Sequence, residues 1–400
     1  MDRTLRERIS GIASRLRSRL INDRRHFHAN PELSFKEFDT SAYIQSRLHQ
    51  MQIPFKTFGE TGVIGTISGQ NGNGKLIALR ADMDALPILE KNHVEYKSKN
   101  DGVMHACGHD AHMASLLGTT TILKEIADRF AGTILVIFQP AEEVLPGGAS
   151  LLINEGLLSN PKPDLIIGQH VAPFLPLGTV GIRKGEFMAS MDEIFMTISG
   201  KGGHAAQPHT LVDPVMITAQ ILVQLQQVVS RKANPLTPTV LSFGKLLGDG
   251  AINIIPDEVK LEGTFRTMDE GWRDQAHELI SQISNTTAQA MGGKCDIKIN
   301  KGYPVLINNQ NLTEQVHTLM NSYIGKEKVI QADKWMAAED FARYAQIIPA
   351  CFYLLGVGKP DTNNSSLHTP TFDIDEEALV SGAGLMAFLA LSCLENNDIT

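Results

Sequence analysis

Eight residues, His105-Ala106-Cys107-Gly108-His109-Asp110-Ala111-His112, hold three histidines, a cysteine and an aspartate. Imidazole and thiolate together are ligands for zinc and its neighbours in the first transition row. Gly108 lets the backbone bend sharply between Cys107 and His109. The plain alternative is a buried cysteine beside surface histidines. Which reading holds depends on whether the rest of the chain supplies further ligands and a base.

It offers several, each at the end of an apolar run. Lys75–Ala81 ends in Asp82-Met83-Asp84, Gly132–Phe138 in Gln139-Pro140-Ala141-Glu142-Glu143, and Asp164–Gln169 in His170. Runs apolar on both faces are what buried parallel strands look like, and open α/β sheets keep their sites just past the carboxyl ends of such strands. Two acids at a turn can also be mere turn formers, an alternative that stays open for Asp82. Adjacent carboxylates cannot share one direction, so one of Glu142 and Glu143 can meet a metal while the other faces substrate. A further histidine, His368, lies in the loop Leu367–Asp373.

Collected, the candidate ligands are Cys107, His109, Glu143, His170 and His368. Five exceed the need of one tetrahedral zinc and suit two divalent metals. Such a pair polarises a carbonyl and lowers the pKa of bound water. Zinc is the first expectation for a thiolate-bearing site; manganese, cobalt and nickel also occupy mixed N/O/S sites. Glu142 is then the natural general base and later proton donor to a leaving amine. Asp84 can hold a ligand histidine in one tautomer. His105 and His112 are expected to shape the loop and the helix start.

The elements that must position these groups follow from periodicity. Apolar residues at helical spacing predict helices over 3–29, 36–50, 111–128, 212–230, 270–291, 311–325, 339–348 and 375–394. In the first of these the arginines read as a solvated face. After about residue 186 the texture changes, with strands expected at 191–199, 238–247, 258–267 and 294–301. Their order with two helices is β-α-β-β-α-β, the split βαβ or ferredoxin-like pattern. The expected organisation is α/β: a mixed-sheet catalytic domain in two parts, 1–185 and 302–400, with an inserted domain at 186–301.

Composition bounds the function. The 400 residues carry a net charge of -8, which argues against a nucleic-acid footprint. The four cysteines are far apart and form no disulfide-like framework, so a reducing cytoplasm is expected. No run approaches ~18 uninterrupted apolar residues, so no membrane span is expected.

At this point the chain resembles a known family. Arg80–Pro87, Met104–Asp110, Gln139–Glu143, Gly200–Ala206 and Leu367–Pro370, with the early His28–Ser34, are similar to the signatures of one branch of the two-domain di-metal aminoacylase/carboxypeptidase metallopeptidases. That is the amidohydrolase branch, which includes hippurate hydrolases, N-acyl-L-amino acid amidohydrolases, auxin-conjugate hydrolases and N-acetyldiaminopimelate deacetylases. The resemblance covers nearly the whole chain. It implies cleavage of N-acyl amino acids, with the five ligands, Glu142 as base and Asp84 in support. It implies that the inserted domain is a lid that also dimerises and that His204 on it stabilises the oxyanion, in the partner subunit's site. It further implies that Asn253 and Arg266 contact the substrate carboxylate. One departure is visible: Ala337-Ala338 stand before Glu339-Asp340-Phe341 where the family commonly has Gly-Ser. The rival expectations are a dipeptidase or carboxypeptidase acting on free peptides, and a non-catalytic metal-binding protein.

Overall fold

The computed structural model describes residues 3–359 and 364–395. The chain forms two compact units. One comprises Met1–Gly185, Ile307–Asp333 and Asp340–Thr400; the other Glu186–Leu306 and Lys334–Glu339.

The first unit is built on an eight-stranded mixed sheet. In spatial order its strands are Phe55–Phe58, Gly62–Ser68, Thr133–Gln139, Leu76–Asp82, Leu165–Pro176, Ala350–Gly358, Val180–Ile182 and Val329–Gln331. Thr133–Gln139, Leu76–Asp82, Leu165–Pro176 and Ala350–Gly358 run parallel and form the centre. Their near-continuous Ile, Leu, Val and Phe are buried, as a sheet covered on both faces requires. Asp82 pairs with Gln139 at the last register position, so the polar residues that follow both strands emerge at one sheet end.

The helix Ala378–Glu395 packs against His109–Glu125 and Arg3–Arg15. It is apolar all round and long enough to cross a membrane, but 83% of it is buried inside the fold, as a core helix is. Leu379, Leu385, Phe388 and Leu389 are each at most 2% exposed, and burying such a side chain stabilises by roughly 2 kcal/mol. Gly118 permits the helices to approach: a Cβ there would lie 2.4 Å from Leu20 Cδ2 and 2.9 Å from Ala383 Cβ.

Three expectations for this unit are corrected. The helix expected over 3–29 breaks at Leu16 into Arg3–Arg15 and Arg17–Ala29, where the Leu16 amide is shared between the carbonyls of Ile12 and Ala13. Its arginines are not all solvated. Arg24 is fully buried, donating to Asp110 and Asp373 at 2.8 Å each. The helix expected over 339–348 shrinks to Ala342–Ala345, because the Asp340 side chain turns inward to pair with Arg80.

The second unit has the expected β-α-β-β-α-β order. Its antiparallel sheet runs Thr239–Leu247, Glu258–Thr267, Asp192–Ser199, Lys294–Lys301. The helices Pro214–Gln227 and Glu270–Ala290 bury Ile217, Ile221, Leu225, Ala276 and Ile280 against Ile194, Met196, Ile198, Leu261 and Phe265. Each helix begins on an aspartate: Asp213 accepts the amides of Val215 and Met216, and Asp269 that of Trp272. Residues 302–306 and Lys334–Glu339, which the sequence alone assigns to the other domain, pack here.

Candidate metal centre and active site

All five candidate ligands, with Glu142 and Asp84, belong to the first unit. Gly108 sits at φ +84° and starts the helix His109–Glu125, so His109 is its first residue rather than part of the preceding loop. A Cβ at Gly108 would lie 2.3 Å from Val171 Cγ2, so glycine is required twice over, for backbone conformation and for space. His170 lies within its strand, opposite Leu354 of the neighbouring strand. His368 reaches the cluster from a left-handed backbone, φ +60°, anchored by its amide on the carbonyl of Ala106.

The donor atoms converge. Cys107 Sγ is 3.4 Å from His170 Nε2 and 3.3 Å from His368 Nε2. His368 Nε2 is 3.2 Å from Glu143 Oε1, which is 3.9 Å from His109 Nε2. Among these five residues, two triplets have their donor atoms within 4.8 Å of one another: Cys107 with His109 and His170, and Cys107 with Glu143 and His368. Cys107 is common to both.

The electrostatics favour a cation here. Both ring nitrogens of His109 and Oε1 of Glu143 are buried without a well-aligned hydrogen bond; His109 Nδ1 has Asp84 at 3.3 Å and Glu143 Oε1 has His368 Nε2 at 3.2 Å as charged neighbours. Burial pushes the Cys107 thiol well up, and the nearby Glu143, Glu142 and Asp82 push it further. Burial disfavours charge on His109, yet Asp82, Asp84 and Glu143 together hold its pKa up at about 10. A bound cation reverses both preferences, drawing the proton off thiol and imidazole. The residues present therefore fit a pair of divalent ions. His170 is already set for ligation: its Nδ1 donates to the Val171 carbonyl at 2.8 Å, and its Nε2 faces Cys107.

Buried polar groups beneath the donors hold them in place. Asp84 lies 3.3 Å from His109 Nδ1. It also accepts the amides of Glu142 and Glu143, each at 3.0 Å, and the hydroxyl of Ser34 at 2.6 Å. Asp82 is not a mere turn former. It accepts from Arg80 at 2.6 Å and faces His112 Nδ1 at 2.6 Å. Arg80 donates onward to Gln139 and Asp340. Glu37, fully buried, accepts the amides of Phe35 and Ala141 and the Thr61 hydroxyl. Reasoning from sequence missed Glu37, Arg80 and Asp340 as parts of the site, because their partners lie far away along the chain.

His204, Asn253 and Arg266 belong to the second unit. Gly203–His204 pairs with Ile254–Ile255, and Ala205 donates to the Asn253 carbonyl. His204 and Asn253 thus share one small, exposed two-stranded piece. Arg266 stands apart, on the strand Glu258–Thr267, and donates to the Met336 carbonyl at 3.0 Å.

Clustered ligand-type side chains with paired acids beside them are what a metal-dependent hydrolase requires. Residues 78–392 match the model of peptidase family M20/M25/M40, and the chain belongs to that family. It is 40% identical to the N-acetyl-L-cysteine deacetylase of Bacillus subtilis over 99% of this chain and 93% of that protein. It is 36% identical to thermostable carboxypeptidase 2 of Saccharolobus solfataricus, over 96% and 98% of the two chains. Among solved structures, the Bacillus subtilis YXEP protein, a dinuclear metal-binding peptidase of the M20 family, superposes with a TM-score of 0.82 at 34% identity, over 96% of this chain and 99% of that one. The motif resemblance drawn from the sequence therefore holds.

Proposed function

We propose that this hydrolase cleaves the amide bond of N-acyl amino acids, releasing a carboxylic acid and a free amino acid. The observation that carries the reading is the sharing of Cys107 between two triplets of donors, with Glu142 beside them. The likeness to a deacetylase of an N-acyl amino acid supports the substrate class. Cys107, His109, Glu143, His170 and His368 hold two divalent ions, zinc by preference for the thiolate, with manganese, cobalt or nickel as alternatives. When bound, such ions polarise the scissile carbonyl and acidify water. Glu142 takes the proton of the attacking water and returns it to the leaving amine. Asp84 orients His109 and fixes both glutamates through their amides. His204 stabilises the oxyanion, and Asn253 and Arg266 bind the substrate carboxylate, acting from the inserted domain of a homodimer. The four cysteines are free thiols, which suits a reducing cytoplasm.

A peptidase reading is favoured by the similarity to a carboxypeptidase and to a dinuclear metal-binding peptidase. One screen separates the two: N-acetyl and N-benzoyl amino acids against the matching free dipeptides, with metal-stripped enzyme reloaded with each metal. We expect turnover of the acylated substrates only, abolished by stripping and by Glu142→Gln. Faster cleavage of the free dipeptides would replace this proposal with the peptidase reading. Metal uptake without turnover of either set would leave a non-catalytic metal-binding protein.

A further inference from the structure

The two glutamates that the proposed function relies on stand on an unusual turn. Ala141, just before them, has φ +50°, a left-handed conformation normally taken by glycine. Three successive amides follow one another around this turn, and each meets a buried carboxylate. Ala141 N donates to Glu37 at 2.8 Å; Glu142 N and Glu143 N donate to Asp84 at 3.0 Å each. Successive amides around a left-handed residue form an anion-binding hollow, and here the acceptors are the protein's own carboxyl groups. The same Glu37 oxygen accepts the amide of Phe35, also left-handed at φ +65°, at 3.0 Å. Its other oxygen accepts from Thr61 at 3.0 Å. Ser34, next to Phe35, donates to Asp84. Residues 34–37 therefore clamp the turn from both sides.

We propose that Glu37 is a positioning residue: by holding the Ala141 amide it fixes the left-handed turn and so sets the directions of Glu142 and Glu143. The inference rests on the roles given above to those two glutamates. Asp84 holds the second and third amides, and the Ala141 carbonyl accepts the Gly148 amide at 2.9 Å, so Glu37 supplies the hold on the first amide of the turn. Without Glu37, the Ala141 amide is buried without an acceptor and the left-handed turn loses its tie to residues 34–37, which loosens the directions of Glu142 and Glu143 against the other ligands. The function requires an acceptor at this point rather than a charge. Glutamine keeps Oε1 for both amides and offers Nε2 to Thr61.

The test compares Glu37→Ala, Glu37→Gln and wild type as full-length protein. The readouts are hydrogen–deuterium exchange of peptides covering residues 139–147, zinc affinity by chelator competition, and kcat and KM on an N-acyl amino acid. For Glu37→Ala we expect at least tenfold faster exchange across 141–143. Zinc affinity should fall about 10–100-fold, the usual range for loss of a group supporting a ligand, and kcat should fall with KM within about twofold of wild type. Glu37→Gln should remain within about threefold of wild type in every readout. If Glu37→Ala does not fold, Glu37→Asp, one methylene too short to reach, takes its place with the same expectations. A variant that melts earlier but exchanges, binds zinc and turns over like wild type would show a purely structural role and overturn the proposal. Equal damage in Gln and Ala would also overturn it. If wild type hydrolyses nothing, the functional reading fails, while exchange and zinc binding still decide the role of Glu37.

Discussion

His112 and Asp82 face each other at 2.6 Å, and the opposite ring nitrogen of His112 accepts the amide of Val171 at 2.9 Å. The second contact requires a lone pair on Nε2, so the proton sits on Nδ1 and is donated to Asp82. Both nitrogens are thereby occupied. Although Asp82, His109 and His112 lie close enough to hold an ion, His112 acts through Val171 on the neighbouring His170. His112→Ala should still bind two metal ions per chain, with affinity reduced about 10–100-fold. Metal content by mass spectrometry checks this; loss of one full equivalent would make His112 a ligand instead.

Ions that bind only the folded state stabilise it by mass action, by about 2.7 kcal/mol at a hundredfold excess over Kd. All five donors belong to one of the two units. Chelation should therefore lower one calorimetric transition by several degrees and leave the other in place. Two transitions that shift together, or not at all, would contradict the ligand set.

Gly108→Ala should cost at least about 2 kcal/mol, combining the left-handed backbone penalty with overpacking against Val171. It should also weaken metal binding, since Cys107 and His109 flank the residue. Gly11→Ala is the contrasting case: its Cβ meets nothing within 4 Å, on an ordinary helix. It should stabilise by about 0.5–1 kcal/mol. Denaturant titration of both variants measures the difference.

Asp192 gives the second unit an acid limit of its own. Burial works against its charge, but hydrogen bonds from His277 and Arg273, and the Arg273 charge, hold its pKa below the usual 3.8. The folded state thus binds its proton less readily than the unfolded chain. The stabilisation is complete above about pH 4 and is lost as pH falls through the lowered value. Asp192→Asn leaves Arg273 buried without this carboxylate, 2.9 Å from its Nε in the wild type. It should cost about 3 kcal/mol at neutral pH, and the gap to wild type should narrow below pH 4. A gap constant with pH would show that the carboxylate charge is not what matters.

Four of the five candidate donors, whose atoms the fold brings together, carry a local mark in the sequence. Cys107 and His109 sit in a dense ligand tract, and Glu143 and His170 close apolar runs. The supporting groups lack such a mark. Arg80 and Asp340 are 260 residues apart and Glu37 and Ala141 are 104 apart, so only the folded chain reveals that they meet. Arg24 looks like one more surface arginine on a basic helix, and burial alone distinguishes it. Helix and strand types were legible from periodicity, except where side chains were diverted, as at Asp340. The short strands Val180–Ile182 and Val329–Gln331 are too brief to show a period.

The strand Ala350–Gly358 lies inside the large sheet, between Leu165–Pro176 and Val180–Ile182, and the apolar helix Ala378–Glu395 follows it. During synthesis the first 185 residues must therefore wait, with apolar sheet surface uncovered, for a strand made more than 160 residues later. The inserted unit is contiguous over Glu186–Leu306 and can close first. Nascent chains stalled near residue 340 should resist protease across that segment and be cut freely within the residues before it, which makes the outer unit the part that depends on chaperones at the ribosome.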